Sequence, residues 1–486
     1  MCQQHKAQTK TKRKARAKAK AKPHGKPKPG EKVTPIRCQA KTHPCPTCGR
    51  LGRRKRRLDR YVRTLAYGLV VWLHVFYAEY KARCSCRKFF RSCPPNVEPK
   101  ADYDNLIRQA ILNRILDDGL NVERTRAAMK RDFLLDLSVG FVYDCLHWGL
   151  AQLNATAQRR FARTHFSGTL CIDELHLGDY TLLLATDPIA DRIVGFLLVT
   201  VNDQAHMRRF LRMLQYWGFE PKVVVTDGST LYPAVLQEVW PEAKHQLCVF
   251  HVLQDVTAKV LDAVRRLRGQ VSRRGKGGRK RKRGRPSKKA QARRKRRGPT
   301  NKEKAAFVFK NRFLVVKRAE NLTEREQEQW QKMVTYLPEL RVLRRFCAEV
   351  YRLFDPEQLA RVARRRRTLL EKKGEYQAIP ELEEALGLLK KEKFDRMVVF
   401  LERPVGQRVK TNNHVERANR KLRFDEKVRY KWRTFRSLDR FLHLRLGRLA
   451  QLAASSEPPV KDEVTQDSAP RAPVSPSAGL APTGGD

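Results

Sequence analysis

Acidic residues and long apolar runs are both scarce in this sequence, and each shortage excludes a class of protein. Only 50 acids accompany 103 Lys and Arg among the 486 residues, which leaves a formal net charge of +53. A charge of that size and sign predicts a polyanionic partner, DNA or RNA. The most apolar run, residues 65–78, is too short to cross a bilayer and contains His74, so we predict no membrane partner. The basic N-terminus lacks the apolar centre of a signal peptide, so we do not expect secretion.

Three segments have too few large apolar residues to form a core, and we expect them to be disordered. They are a basic tail at 1–37, an internal basic loop at 265–299, and a Pro-, Ser- and Ala-rich tail at 454–486. In the loop, Arg283 and Arg285 lie in an Arg-Gly-Arg-Pro stretch that resembles an AT-hook, which binds the A·T minor groove. We favour the alternative, a solvated polycation with general DNA affinity.

The sequence contains eleven cysteines, an odd number, and they include two close pairs, C-x-x-C and C-x-C. In a cytosolic protein such pairs indicate metal ligation instead of disulfides. Four thiolates fit a structural Zn²⁺ site, and the β-rich sequence between the pairs predicts a zinc-ribbon-like domain at 38–98. Free thiols in a small β domain are the alternative. The predicted ligands are Cys45, Cys48, Cys84 and Cys86, with Cys38 and Cys93 as substitutes for one member of the second pair.

Helical periodicity dominates two further regions, 99–160 and 300–399. Within the first, residues 121–150 predict a helix, a short turn and a second helix capped by Ser138. This is the pattern of a helix-turn-helix DNA-binding domain, although many ordinary helical hairpins share it.

Residues 168–256 alternate strands with helices and predict a mixed five-stranded sheet with helices packed on it. Asp173 lies on the first strand and Asp227 ends the fourth, and these two strands can lie side by side. Ligand sites favour the carboxyl ends of strands, so we expect the two carboxylates to face one another there. A divalent cation such as Mg²⁺ relieves their repulsion and also binds phosphate oxygens. The alternative for Asp227 is that it only forms a turn and helix cap. For Asp173 the alternatives are Glu174 and Asp179, which are equally available acids nearby.

A third acid, Glu416, lies near the start of a predicted helix in KTNNHVERANRKLR, residues 410–423. The alternative role for Glu416 is that of capping partner to Asn413, three residues earlier. That role does not explain the surrounding density of Asn and Arg, which suits contacts with phosphate groups. The arginines are Arg417, Arg420 and Arg423.

The order of these motifs resembles that of the DDE transposases of bacterial insertion sequences and, to a lesser degree, the Mutator-like group. The resemblance covers residues 168–256 and 400–450. No single motif is decisive, whereas the ordered set is specific. Its four members are Asp173 in CIDELHLG, Asp227 in VVVTDGS, Cys248 and His251 in HQLCVFHV, and Glu416 in TNNHVERANR. KWRTFRS, which contains Trp432, follows the last of them.

The resemblance implies an α/β RNase H-like catalytic core built from residues 161–264 and 400–453, interrupted by a helical insertion domain at 300–399. Its three acids, Asp173, Asp227 and Glu416, would hold two Mg²⁺ or Mn²⁺ ions for cleaving transposon ends and joining them to target DNA. It also implies a homodimer in the synaptic complex and, in a bacterium, a cytoplasmic, nucleoid-associated protein. The DNA contacts we expect are Arg283, Arg285, Arg417, Arg420, Arg423 and Trp432.

Cys248 and His251 are secondary site candidates. We predict that HQLCVFHV is the fifth strand, where residues three apart point to opposite faces, so one ion could be shared only at a strand end or bend. Simple burial of Cys248 is the alternative. Two rival functions also stay open: a non-catalytic DNA-binding regulator, disfavoured because all three acids are present, and an RNase H-like nuclease without strand joining.

Overall fold

The computed structural model describes residues 26–81, 89–92, 94–273, 299–429 and 434–455. Several predicted features lie outside these ranges: most of the two terminal tails, most of the internal basic loop, and six of the predicted ligands and DNA contacts. Those six are Cys84, Cys86, Cys93, Arg283, Arg285 and Trp432.

The N-terminal region forms a sheet in which a long hairpin is the largest element. The basic tail predicted at 1–37 is wrong at its end, because Val33–Cys38 is a strand that runs parallel to Leu69–Lys81. The backbone groups of Val33–Cys38 form hydrogen bonds with residues that lie 35 or more positions later in the sequence. The composition of residues 1–37 does not reveal so distant a partner. The strands are β1 Val33–Cys38, β2 Thr42–Pro44, β3 Leu51–Ala66, β4 Leu69–Lys81 and β5 Phe89–Arg91.

Four helices follow this sheet, and each begins with a side-chain cap of the kind that Asp, Asn and Ser provide. The predicted cap Ser138 is confirmed, since its hydroxyl accepts from the amide N–H of Phe141. The cluster of buried residues in this region also includes Phe441 and Leu444 from the last helix of the chain. The helices are α1 Asn105–Leu116, α2 Val122–Phe133, α3 Val139–Ala151 and α4 Ala155–Thr164.

The predicted mixed five-stranded sheet is confirmed, with strand order β10-β9-β6-β7-β8. Strands β6, β7 and β8 are antiparallel neighbours, and β9 runs parallel to β6 after a helical crossover. The strands are β6 Thr169–Leu177, β7 Tyr180–Asp187, β8 Arg192–Val199, β9 Val223–Thr226 and β10 Lys244–Leu247; the helices are α5 Gln204–Tyr216 and α6 Tyr232–Val239.

Side chains on β6 alternate between two apolar layers. Leu170 and Ile172 pack with α5 and α6 on one face of the sheet. Cys171 and Leu175 pack on the other face, where residues of the two C-terminal helices, α15 Asn413–Arg429 and α16 Phe435–Ser455, complete the layer. Because side chains alternate along a strand, odd-numbered β6 residues point towards the C-terminal helices.

The fifth strand is shorter than predicted. It ends at Leu247, and α7 Val249–Arg273 begins two residues later, so the second half of HQLCVFHV is helical. The disordered loop predicted at 265–299 is also wrong for its first nine residues, which continue α7. Leu267 is buried there among helices, because its basic neighbours lie on the helix surface and only one face of α7 needs to be apolar.

Helix α7 and the chain from 299 to 401 share one apolar core. Thr323 and Glu326 form a capping box, in which each side chain accepts from the other residue's backbone N–H. The remaining helices are α8 Asn301–Lys310, α9 Glu324–Tyr336, α10 Leu340–Leu353, α11 Ala360–Glu371, α12 Gly374–Gln377, α13 Pro380–Gly387 and α14 Lys391–Met397, with 3₁₀ turns at Arg312–Val315, Ala319–Asn321, Val399–Glu402 and Val405–Gln407. No helix within the described ranges is both long and apolar enough to cross a membrane.

Candidate active site

Asp173 points from β6 towards α15, as the strand alternation requires. The register that pairs Leu170 with Val224 and Cys171 with Val225 puts Asp173 level with Asp227, directly after the last residue of β9. The two aspartates therefore lie side by side, Asp173 at the middle of β6 and Asp227 directly after the end of β9.

A side chain of α15 holds Asp173 in place. Asn419, which is buried, donates from Nδ2 to Oδ2 of Asp173 over 2.8 Å. The pKa of Asp173 is raised to about 6: burial is the largest cause, the charges of Asp227 and Glu416 contribute, and the Asn419 hydrogen bond opposes the change. Because Asn419 lies three residues after Glu416 on α15, its hydrogen bond also holds the segment that carries Glu416 against Asp173.

Asp227 also has the turn role that was its alternative interpretation. Its Oδ1 accepts from the amide N–H of Ser229 over 2.9 Å. It does not cap α6, however, because that helix begins at Tyr232 without a side-chain cap. The turn bond orients the carboxyl group and is compatible with a second role for Asp227.

Glu416 lies in the first turn of α15, and the start of that helix is fixed by Asn412. The fully buried Asn412 donates from Nδ2 to the carbonyl of Ile172 over 2.9 Å, which ties the helix to β6. The capping box expected between Asn413 and Glu416 is wrong, because α15 already includes Asn413 and the preceding residue is Asn412. Within the described residues, the buried Oε1 of Glu416 has no hydrogen-bond partner.

Cys248 and His251 lie beside Glu416, and the expectation that a strand would separate them is wrong. The amide N–H of Cys248 still bonds to the carbonyl of Thr226 over 2.8 Å, but the next residue starts α7. One turn of helix brings His251 back towards Cys248. A sulfur, a ring nitrogen and a carboxylate oxygen of Cys248, His251 and Glu416 all lie within 4.8 Å of one another.

The electrostatics of this corner favour a protonated imidazole. A hydrogen bond with Cys248 raises the pKa of His251 to about 9 against the effect of burial, and the charges of Glu416 and Asp227 add to the increase. On the opposite face of β6, burial raises the pKa of Glu174 to about 7, and the charge of Asp227 contributes. The site thus combines several acids with few local cations.

Two asparagines of the site, Asn412 and Asn419, were missed by the sequence analysis. A signal for them exists, because Asn412, Glu416 and Asn419 follow one another at spacings of four and three, which places them on one face of a helix. The general density of Asn and Arg in that stretch obscured this spacing.

The predicted DNA contacts of α15 differ in their surroundings. Arg417 is exposed but forms an ion pair with Asp191 over 3.4 Å, and His414 bonds to the same carboxylate over 2.6 Å. Arg420 and Arg423 are exposed and have no acidic partner within the described part of the chain. These two arginines are therefore free to meet an anion.

A second basic surface lies on the N-terminal sheet, and we call it the basic strand patch. It occupies β3, where a β-bulge between Arg54 and Arg56 adds an extra residue to the strand. Its side chains are exposed and make no ion pair with any acid in the residues that the structure describes. The basic strand patch consists of Arg53, Lys55, Arg56 and Arg57.

Half of the predicted zinc site lies within the described residues. Gly49 has a positive φ of 71°, which an L side chain rarely adopts, and its amide N–H donates to the carbonyl of Cys45 over 2.8 Å. This tight turn holds Cys45, which is buried, and Cys48, which is exposed, close together at the end of β2. Cys38, the substitute ligand, ends β1.

The chain matches the family model DDE_Tnp_ISL3, described as a transposase, over residues 170–442, more than half of its length. It therefore belongs to this transposase family. Among solved structures it is similar to the Drosophila P element transposase strand transfer complex, with 12% sequence identity and a TM-score of 0.34 over 71% of this chain and 91% of that chain. A TM-score of this size supports no statement about shared architecture. No curated protein sequence matches the chain.

Proposed function

We propose that this transposase cuts DNA at transposon ends and joins the ends to target DNA, with Asp173, Asp227 and Glu416 as its catalytic acids on an RNase H-like core. The observation that carries the proposal is geometric: the β6–β9 register sets Asp173 level with Asp227, and Asn412 and Asn419 tie the segment of α15 that carries Glu416 to Ile172 and Asp173 of β6. A structural role alone does not call for acids at this apolar junction.

The donor set of the site fits Mg²⁺ or Mn²⁺. Both are hard cations that take oxygen ligands, and the buried Oε1 of Glu416 accepts no hydrogen bond within the described residues, although Nε2 of His251 lies 3.8 Å from it. Asp173, Asp227 and Glu416 would hold two such ions. When bound, the ions supply positive charge that offsets the charge of the scissile phosphodiester.

Residues around the acids position them and the DNA. Asn419 orients the carboxyl group of Asp173, and Asn412 keeps the first turn of α15 against β6. Arg420 and Arg423 lie exposed on the same helix, where they would bind phosphates that flank the cut.

We further propose that the N-terminal half binds the transposon ends. The basic strand patch supplies phosphate contacts, α2 and α3 supply a helix-turn-helix reader, and Zn²⁺ held by Cys45, Cys48 and two further cysteines stabilises the sheet. Two copies of the chain would bring two ends together, as transposition requires.

The test uses purified protein and a DNA donor that carries the ends of the element. Asp227→Asn should reduce Mg²⁺-dependent cleavage by about 10²–10³-fold or more, because it removes charge at the reacting phosphate, and should leave end binding unchanged. Asp179→Asn, an exposed acid on the turn after β6, is the matched control and should cleave normally. Wild-type cleavage rates in the Asp227 variant would refute the assignment.

The rival functions separate in the same experiment. A DNA-binding regulator would bind ends without cutting them under any metal condition. A nuclease without strand joining would cut, yet pre-cleaved ends with free 3′-hydroxyl groups would not appear covalently attached to a target plasmid. We expect joined products, and their loss in the Asp227 variant.

A further inference from the structure

Beside the three acids lies a second group of side chains with a different donor chemistry. Cys248, His251 and Glu416 offer one sulfur, one nitrogen and one oxygen, and the three atoms lie within 4.8 Å of one another. We propose that this group is a binding site for a borderline-soft transition metal of the Zn²⁺ class, and that filling it withdraws Glu416 from the acids. The second half of this inference rests on the proposed function of Glu416.

The backbone around Cys248 is fixed in a way that suits a metal site. Its amide N–H bonds to Thr226 at the end of β9, and the amide N–H of Val249 donates to the carbonyl of Lys410 over 2.9 Å. The sulfur itself accepts from the amide N–H of Asn412 over 3.3 Å. A backbone N–H that points at sulfur stabilises a thiolate, the form that binds a metal.

The three donor atoms are almost close enough to share one ion. Ligand atoms in a tetrahedral zinc site lie about 3.3–3.6 Å apart, given bond lengths of about 2.0–2.3 Å. The Nε2 of His251 is already 3.8 Å from Oε1 of Glu416. His251 and Glu416 are both half-buried, and we expect rotation of their side chains to close the remaining gap when an ion binds.

The donor set selects the metal. Thiolate and imidazole favour Zn²⁺ and similar ions, whereas Mg²⁺ favours oxygen ligands. Three protein ligands leave the fourth position open for water or a substrate oxygen. Zn²⁺ should therefore bind here in the presence of excess Mg²⁺, and it should compete for Glu416 with the ions that the three acids hold.

The direct test is titration of the metal-stripped full chain with Co²⁺, a spectroscopic substitute for Zn²⁺. A cobalt–thiolate bond gives a charge-transfer band, and metal analysis after dialysis counts bound ions per chain. Cys248→Ala should bind one ion fewer than wild type and show a correspondingly weaker band. Cys347→Ala is the matched control: Cys347 is equally buried, but it lies in α10 within the helical core, so its replacement should leave Co²⁺ binding unchanged.

A second variant and a functional readout separate the possible outcomes. His251→Gln should also weaken Co²⁺ binding, and this variant tests the site without changing the buried thiol. In wild type, Zn²⁺ should inhibit Mg²⁺-dependent cleavage, and both site variants should resist this inhibition. Equal Co²⁺ content and band intensity in wild type, Cys248→Ala and His251→Gln would overturn the metal site. If wild type binds the extra Co²⁺ but never cleaves DNA, the site stands and the proposed function fails.

Discussion

Replacing Asp173 by Asn should stabilise the metal-free protein, although it removes a proposed catalytic group. Burial and the charges of Asp227 and Glu416 raise the pKa of Asp173 from 3.8 to about 6, so the folded state disfavours the ionised carboxyl. Below pH 3.8 the group is protonated in both the folded and unfolded states. The stability present there is lost as the pH rises through about 6, and at neutral pH the loss is about 3 kcal/mol.

Urea unfolding in the presence of a chelator measures this effect. At neutral pH, Asp173→Asn should raise the free energy of unfolding of the core sheet by up to about 3 kcal/mol, and at about pH 4 the gain should almost vanish. Hydrogen exchange of the β6 and β7 amides assigns the change to this sheet. The control Asp179→Asn, on an exposed turn, should change little at either pH.

Added Mg²⁺ should reverse the order of stability, so that wild type becomes more stable than Asp173→Asn. An ion that binds only the folded state stabilises wild type, whereas the variant lacks one ligand and should gain less. Equal or lower stability of Asp173→Asn at neutral pH without metal would show that neither burial nor the neighbouring acids disfavour the ionised carboxyl group, and the proposed site would lose its physical basis.

Three further predictions concern DNA binding, the support of the site and core packing. Replacing the four residues of the basic strand patch by glutamine should lower the steepness of log affinity against log salt concentration by about 0.9 for each phosphate group that the variant no longer neutralises. Fluorescence anisotropy with end DNA measures this slope, and an unchanged slope would show that the DNA does not contact the basic strand patch. Asn419→Ala should weaken cleavage or Mg²⁺ affinity about 10–100-fold without affecting end binding, because Asp173 loses its orienting donor; cleavage against Mg²⁺ concentration measures this. Gly195→Ala should cost about 1–3 kcal/mol, since the new Cβ would lie 2.6 Å from the side chain of Leu214, whereas Gly269→Ala meets nothing within 4 Å; thermal denaturation compares the two.

Features that depend on nearby residues were predictable from the sequence. The strands β6 to β9 and helix α5 were predictable, because apolar alternation and helical periodicity are patterns that extend over only a few residues. The neighbouring positions of Asp173 and Asp227 also followed, because a helical crossover between two strands makes them parallel and allows them to lie side by side.

Only the tertiary structure decided the features that depend on distant partners. Val33–Cys38 looks like part of a basic tail until β4 supplies its hydrogen bonds, and α7 extends into a basic run because a separate set of helices buries Leu267. The strand that ends at Leu247 is the decisive case. Its apolar continuation suits a strand or a helix equally well, and the contacts of Cys248 with Thr226 and Asn412 determine that a helix starts there, which brings His251 to Glu416.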